Sequence, residues 1–219
     1  MPVALITGAT RGLGREITRS LSSRDWTLVL DARTPVPGLS DLVVGDVADP
    51  AHRAALLAEV RRYGRLDLLV NNASTLGPGI RPLSGYPLDA LRRVLEVDLL
   101  APLALVQDML TLLQASAGAI IDLTSDAAVQ AYAGWGAYGA AKAALDQVTA
   151  VLAVEHPEVR CYALDPGDMR TDLHQQAFPD EDISDRPEPA TVVPAVLRLV
   201  GERPPSGRYR AADLLAVPA

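Results

Sequence analysis

The stretch VALITGATRGLG, residues 3–14, decides the fold of this chain. It begins as a short run of β-type apolar residues and carries glycines at 8, 12 and 14, where that run turns into a helical pattern. Without side chains at those positions, backbone N–H groups can approach a pyrophosphate at the positive end of a helix. The spacing G-x-x-x-G-x-G differs from the commonest dinucleotide fingerprint. Its place between strand and helix nevertheless predicts a phosphate-binding turn, with a plain tight turn as the alternative.

Short apolar strands alternate with helices along the rest of the chain. Strands are predicted at 3–7, 27–31, 42–46, 66–71, 119–125 and 159–165, and a last strand is a candidate within 206–215. Helices are predicted near 12–23, 50–63, 87–114, 136–155 and 190–201. Near-continuous apolar strands suit a parallel sheet covered on both faces. The pattern predicts an α/β fold, a Rossmann-like doubly wound sheet in a single domain over 1–219. Segment 33–42, with two prolines and a glycine, is too short for a crossover helix and is predicted to be a loop.

Composition excludes several classes of function. The formal net charge of −7 argues against a nucleic-acid or anionic-membrane partner. The sequence has no uninterrupted apolar run of about 18 residues and no basic segment before its first apolar run, so neither a membrane span nor a signal peptide is expected. The single cysteine, Cys161, rules out an internal disulfide and fits a reducing compartment, which predicts a cytoplasmic protein. Three scattered histidines show no ligand spacing, so no metal site is predicted.

The Ala/Gly-rich stretch AYAGWGAYGAAKAAL, residues 131–145, carries one phenol and one ammonium at helical spacing. Tyr138 and Lys142 lie at i and i+4 and therefore share one helix face. A lysine on a close-packed face is costly unless something uses it. A free phenol has a pKa of about 10, and a nearby cation favours the phenolate and brings that pKa toward the working range. The pair predicts acid–base chemistry, with a core tyrosine beside a solvent-reaching lysine as the alternative.

Five motifs, in order along nearly the whole chain, resemble those of the short-chain dehydrogenase/reductase family. They are TGATRGLG at 7–14, NNAS at 71–74, Ser125, YGAAK at 138–142 and DPGDMRT at 165–171. Thirteen positions separate Ser125 from Tyr138, the spacing usual in that family. The resemblance implies an oxidoreductase that moves a hydride between a nicotinamide cofactor and a small carbonyl or alcohol. It also implies that Tyr138 exchanges a proton with the substrate oxygen, that Lys142 holds the nicotinamide ribose and that Ser125 binds the same substrate oxygen.

One position of the catalytic set departs from the family. Asp98, in VLEVDLLAPL at 94–103, stands where the family usually has an asparagine linked to a bound water through a helix irregularity. The interpretation we favour is that aspartate replaces asparagine without consequence. The alternative is that its carboxylate stabilises the Lys142 ammonium and opposes phenolate formation. Asp122 and Asp126, on either side of the Ser125 strand end, are predicted to be loop or capping residues.

Cofactor choice depends on the end of the second strand. Ala32 falls where NAD-preferring relatives place an acid, while Arg33 follows it and Arg11 precedes the second glycine. Two arginines around a 2′-phosphate favour NADP(H) over NAD(H). If the count from the glycine-rich turn is shifted by one residue, Asp31 takes the place of the acid that binds the ribose in NAD-preferring relatives. Both arginines could also be plain surface residues. The predicted cofactor-binding residues are Gly8, Thr10, Arg11, Gly12, Leu13, Gly14, Arg33, Asp46, Val47, Asn72, Ala73, Tyr138, Lys142, Pro166, Gly167, Met169 and Thr171.

The sequence does not identify the substrate. Segment 172–190 occupies the place of the family's substrate lid but also suits a plain surface loop. Tyr132 and Trp135 are candidates for pocket walls, with ordinary loop packing as the alternative. The resemblance implies a homodimer or homotetramer that assembles through 87–114 and 136–155. Two other functions stay open: a non-catalytic NAD(P)-binding regulator, which would not need the intact Ser/Tyr/Lys set, and a lyase or epimerase that uses the same Tyr138.

Overall fold

Seven parallel strands form one sheet. The computed structural model of the chain describes residues 1–37, 39 and 42–216. The strands are β1 (Val3–Ile6), β2 (Thr27–Ala32), β3 (Leu42–Val44), β4 (Leu68–Asn71), β5 (Ala119–Leu123), β6 (Arg160–Asp165) and β7 (Gly207–Arg210). Their order across the sheet is β3-β2-β1-β4-β5-β6-β7. In the predicted loop 33–42, residues 38, 40 and 41 lie outside the described residues, as do 217–219 of the predicted domain.

Helices cover both faces of this sheet. They are α1 (Gly12–Ser22), α2 (Pro50–Arg61), α3 (Leu88–Leu95), α4 (Ala101–Ala115), α5 (Gly136–Glu155), α6 (Asp172–Ala177), α7 (Val193–Glu202) and α8 (Ala211–Ala216). Successive strand residues point to opposite faces, so Leu5 and Ile6 enter two different cores. The core that contains Ile6 is completed by α1 and α7, and the core that contains Leu5 by α2 and α4. This arrangement confirms the predicted doubly wound α/β fold.

Two predicted elements differ from the structure. The predicted helix 87–114 is interrupted between α3 and α4 by a π-helical turn, Glu96–Leu100, which the Ala101 N–H closes by bonding to the Glu96 carbonyl. In 206–215, only Gly207–Arg210 is a strand, and the Ala/Leu-rich residues after it form α8. Alanine and leucine are strong helix formers, and Leu214 of α8 packs into the core, which explains the early end of the strand.

The edge of the sheet at which a ligand is expected lies at the carboxyl ends of β1 and β4. Strand order runs outward in opposite directions from these two neighbours, and a crevice forms at such a switch point. The glycine-rich turn follows β1, and residues 72–75 follow β4. Ser125 follows β5 and Pro166 follows β6. Four of the five family-like motifs therefore end at one edge of the sheet, and α5 supplies the fifth.

Candidate active site

The glycine-rich turn is built for close approach to a ligand. Gly8 and Gly12 have positive φ angles, +62° and +47°, which favour glycine. At Gly14, a Cβ atom would lie 2.4 Å from the carbonyl oxygen of Gly8, so this glycine permits the helix to pack on the turn. Among the described residues, no side chain caps the amino end of α1. Its first N–H groups are therefore available to an anionic ligand.

A single cavity above the switch point gathers most of the predicted cofactor residues. Its wall includes fifteen of them: Gly8, Thr10, Arg11, Gly12, Leu13, Arg33, Asp46, Val47, Asn72, Ala73, Tyr138, Lys142, Pro166, Met169 and Thr171. Gly14 packs within the turn, and Gly167 lines a smaller adjoining cavity that also includes Ser125 and Tyr138. The two cavities have six wall residues in common, and Tyr138 is one of them, so its side chain borders both.

Both oxygens of the Asp31 carboxylate have hydrogen-bond partners within the protein. Its Oδ2 accepts a hydrogen bond from the Gly8 N–H at 3.0 Å, and its Oδ1 lies 2.6 Å from Nε2 of His52. Burial raises the pKa of Asp31, although the bonds to Gly8 and His52 oppose the rise. One carboxylate oxygen thus braces the glycine-rich turn, and the other binds His52 of α2. This geometry speaks against Asp31 as a free acceptor for ribose hydroxyls.

Arg93 is a residue of the cavity wall that the sequence analysis missed. It forms an ion pair with Asp46, and Arg33 adds its charge nearby. Partial burial would raise the pKa of Asp46, but the Ala48 N–H and these two guanidinium groups keep it below its ordinary value. Arg93 comes from α3, far from Arg33 in sequence, so no local motif could indicate that the two share one wall.

Tyr138 and Lys142 form a buried pair on α5. Lys142 is 2% exposed, and its Nζ donates to the Leu123 carbonyl at 2.8 Å. The same Nζ lies 5.5 Å from the centroid of the Tyr138 ring. Burial raises the pKa of the Tyr138 phenol, the Lys142 ammonium opposes the rise, and the Asp98 carboxylate adds to it. In this protein the phenol therefore keeps its proton to higher pH than a free tyrosine does.

Asp98, which the favoured interpretation treats as an isosteric replacement of asparagine, lies beside Lys142. It is fully buried in the π-helical turn, and its Oδ1 lies 3.6 Å from Nζ of Lys142. The Thr75 N–H also donates to this Oδ1, at 3.2 Å. Burial raises the pKa of Asp98, and the Lys142 ammonium is the main opposing influence. The structure therefore shows the arrangement that the alternative requires, a carboxylate that faces the Lys142 ammonium.

Ser125 and Asp126 form a small polar cluster after β5. Ser125 Oγ accepts from the Ala127 N–H at 3.1 Å and donates to Oδ1 of Asp126 at 3.0 Å. Tyr132 donates its phenolic hydrogen to the other Asp126 oxygen at 2.7 Å. Asp126, predicted to be a loop or capping residue, lies in a short exposed turn after β5, where its carboxylate also accepts from two hydroxyl groups. Trp135, and not Tyr132, lies in the wall of the adjoining cavity.

The prediction that Asp122 is a loop or capping residue is wrong. It lies inside β5 and is buried. Its Oδ1 accepts from Nδ2 of Asn71 at 2.7 Å, and its Oδ2 accepts from the Thr149 hydroxyl at 2.6 Å. Burial raises its pKa against the influence of these two donors. Asp122 thus ties β4 to α5 directly beneath the site.

Segment 172–190 begins as part of the site wall. Its first residues form α6, from which Asp172, Leu173 and Gln176 line the larger cavity. Leu173 and His174 also line the adjoining cavity. The Thr171 hydroxyl caps α6 by accepting from the His174 N–H at 3.2 Å. The amino end of this segment therefore borders both cavities, as a substrate-covering element does.

Arg208 connects the pieces of the site from the edge strand β7. Its Nη2 donates to the Ser125 carbonyl at 2.9 Å and to Oδ2 of Asp165 at 3.2 Å. Its Nε donates to Oδ2 of Asp146, on α5, at 3.0 Å. Asp165 in turn accepts from the Gly167 N–H at 3.0 Å. One guanidinium therefore holds the Ser125 loop, the turn after β6 and helix α5 together.

Replacing Arg208 by methionine is expected to lower the free energy of unfolding by about 1–3 kcal/mol, because two carboxylates and a carbonyl lose a charged donor. Arg210→Met is the matched control, since Arg210 lies two residues along the same strand and its side chain, 62% exposed, pairs only loosely with Asp213. That control should change stability by less than about 0.5 kcal/mol. Urea denaturation measures both, and equal effects would contradict the bracing role of Arg208.

Two further features of the described chain bear on function. Within residues 1–37, 39 and 42–216, no group of three or more His, Cys, Asp or Glu side chains could hold a metal ion. None of the helices that the structure describes has the length and hydropathy needed to span a membrane.

Comparison with known proteins assigns the chain to a class. A family model for short chain dehydrogenases matches residues 2–182. Sepiapterin reductase of Rattus norvegicus is 33% identical over 201 residues, 80% of this chain and 77% of that protein. 2-(R)-Hydroxypropyl-CoM dehydrogenase of Xanthobacter autotrophicus is 33% identical over 233 residues, 91% of each protein. A short-chain dehydrogenase of Escherichia coli CFT073, solved with NADPH, matches with a TM-score of 0.89 at 28% identity, over 96% of each chain.

The fold and the site are those of an α/β oxidoreductase of the dinucleotide-binding class. The chain belongs to the short-chain dehydrogenase/reductase family, as its motifs predicted. Its seven-stranded parallel sheet matches the solved members of that family.

Proposed function

We propose that this protein transfers a hydride between NADP(H) and a small carbonyl or alcohol substrate, with Tyr138 as the acid/base. The observation that carries the proposal is the buried Tyr138–Lys142 pair, whose tyrosine side chain borders two cavities. The larger cavity contains the glycine-rich turn, and the smaller one contains Ser125. A cofactor in the first and a substrate in the second would meet at the phenol.

The residues of the larger cavity fit a dinucleotide. A Cβ atom at Gly8 would lie 3.1 Å from the Cα of Ala73, so glycine here lets the turn pack against the segment after β4. The N–H groups at the amino end of α1, which no described side chain caps, would meet the pyrophosphate. Asp46, Val47, Asn72 and Ala73 would hold the adenosine half, and Lys142 the nicotinamide ribose. Pro166, Met169 and Thr171 would border the nicotinamide, with Gly167 behind them. When bound, the cofactor supplies or accepts the hydride.

Side chains of the smaller cavity would transfer the proton to and from the substrate oxygen. In carbonyl reduction, Tyr138 donates its phenolic proton to the substrate oxygen, and Ser125 hydrogen-bonds to the same oxygen. In alcohol oxidation, the phenolate takes that proton. The Lys142 ammonium stabilises the phenolate in either direction, because opposite charges within a few ångströms favour the ionised form.

NADP(H) is the cofactor that the cavity wall favours. Arg33 and Arg11 line the cavity with cationic groups that suit a 2′-phosphate. Asp31, the competing NAD-type acid, has both oxygens bound inside the protein. The structural relative from E. coli, solved with NADPH, is consistent with this choice.

Oxidation of NADPH by the purified protein, measured across a panel of ketones, aldehydes and quinones, tests the function. Turnover of at least one carbonyl, absent with Tyr138→Phe, is expected. Binding of NADPH with no turnover on the whole panel would favour the non-catalytic regulator. Tightly retained cofactor with conversion of substrate but no net redox change would favour a lyase or epimerase.

The protein is also proposed to assemble as a homodimer or homotetramer in the cytoplasm. Apolar side chains on α5 support the assembly, since Val151 and Val154 are exposed on that helix. Light scattering at micromolar concentration is expected to give two or four times the chain mass of 23.2 kDa. A chain-sized mass would contradict the assembly. The lone buried thiol, Cys161, supports a reducing compartment.

A further inference from the structure

Three ionisable groups share one buried space at the centre of the site. Asp98 of the π-helical turn lies 3.6 Å from Nζ of Lys142, and Lys142 lies against the ring of Tyr138. All three side chains are shielded from water, with Asp98 and Lys142 almost completely so. In such surroundings, an anion needs a compensating cation or hydrogen-bond donors.

Ser74 adds a hydroxyl between two of these groups. Its Oγ is shielded from solvent, and no described residue meets the distance and angle of a hydrogen bond to it. It lies close enough to both the Asp98 carboxylate and the Tyr138 phenol to lower the pKa of each, although burial outweighs it in both cases. A hydroxyl carries one proton, so Ser74 can donate to only one of the two anions at a time.

The charges of this cluster do not balance if both Asp98 and Tyr138 ionise. Among the described residues, the Lys142 ammonium is the one cation of this cluster, so it can balance only one of the two groups that could become anionic. The Thr75 N–H, which donates to Asp98, adds to the support of that carboxylate. An ordinary carboxyl is more acidic than a phenol by about six pH units, so the supported anion is Asp98. A second anion on Tyr138 would leave the buried cluster with an uncompensated negative charge. With an amide at position 98, the ammonium would be free to balance a phenolate.

Resting on the proposed function, we propose that Asp98, by occupying the Lys142 ammonium, holds Tyr138 in its protonated form, which keeps it a proton donor for carbonyl reduction through neutral and mildly alkaline pH. In that reaction the carbonyl carbon gains the hydride that the reduced cofactor supplies. The carbonyl oxygen gains the phenolic proton, and the O–H bond of Tyr138 breaks. Solvent then returns a proton to the phenolate. Alcohol oxidation, which needs the phenolate first, begins only at higher pH.

Other titratable groups lie around the cluster, and among those named below only Asp165 adds to the effect of Asp98 on Tyr138. Asp165, at the end of β6, raises the pKa of the Tyr138 phenol, a smaller influence than burial, Lys142 and Asp98. Asp122 of β5 helps Asp98 to raise the pKa of Lys142, against the effect of burial. Burial raises the pKa of Tyr86, and the Asp98 carboxylate adds to that rise. None of these groups supplies a second cation to the cluster.

Ultraviolet titration of tyrosine in the full chain tests the inference without any turnover. The Tyr138 contribution is isolated by subtracting the curve of Tyr138→Phe. In the wild type, this phenol is expected to ionise above the ordinary value of about 10. In Asp98→Asn, it is expected to ionise about one to two pH units lower than in the wild type. The amide oxygen of the variant can still accept from the Thr75 N–H, which should preserve the fold.

Asp108→Asn is the matched control, because it makes the same chemical change at an exposed position of α4. It should leave the Tyr138 titration where it is. If a substrate is found, Asp98→Asn should also move the alkaline decline of reductive kcat/KM to lower pH by the same amount. Ionisation of Tyr138 below its ordinary pKa in the wild type, or an unchanged titration in a folded Asp98→Asn protein, would overturn the inference. Absence of turnover with every substrate would count against the proposed function alone.

Discussion

Tyr138→Phe is expected to lower turnover by about 10²–10⁴-fold, the range that general acid–base catalysis contributes. The substitution removes only the hydroxyl, and the ring keeps its edge contact with Trp135. Cofactor affinity should therefore stay within about twofold of the wild-type value. Steady-state kinetics on the best substrate and fluorescence titration with NADPH measure the two quantities.

Tyr63→Phe is the matched control for this experiment. Tyr63 is 43% exposed and follows α2, away from both cavities. Its variant should retain full activity. Lys142→Met gives a useful contrast, since it is expected to lower both turnover and cofactor affinity by removing the ammonium from phenol and ribose together. Wild-type turnover in Tyr138→Phe would remove the proposed mechanism.

Arg33→Ala is expected to weaken NADPH binding about ten- to hundredfold relative to NADH. A charge-assisted bond to the 2′-phosphate is present with only one of the two cofactors, and such a bond contributes about 1.5–3 kcal/mol. Higher salt should weaken NADPH binding more than NADH binding, because the contact is ionic and partly exposed. Dissociation constants for both cofactors, measured at two salt concentrations, check the prediction.

Two variants separate this assignment from the competing one. Arg61→Ala removes an exposed guanidinium at the end of α2 and should leave the preference unchanged. Asp31→Ala should weaken both cofactors alike, since Asp31 braces the Gly8 N–H that both require. A wild type that prefers NADH, with the preference erased in Asp31→Ala, would show instead that Asp31 binds the ribose.

The sequence by itself determined the fold class and the local part of the site. The glycine-rich turn needs only a strand, three glycines and a helix, all within residues 3–14. Tyr138 and Lys142 are one helical turn apart, so their proximity follows from α-helix geometry alone. These features depend on short-range backbone rules, which a single sequence expresses directly.

Only the tertiary structure decided which groups meet across the sheet. Asp98 faces Lys142 because a π-helical turn and α5 pack together, and Arg208 reaches Ser125 from a strand 83 positions later in the chain. A carboxylate inside a parallel strand is costly, and Asp122 is tolerated there because Asn71 and Thr149, distant in sequence, donate to it. The strength of a buried charge depends on its partners and on exclusion of water, and both are set by packing between distant segments.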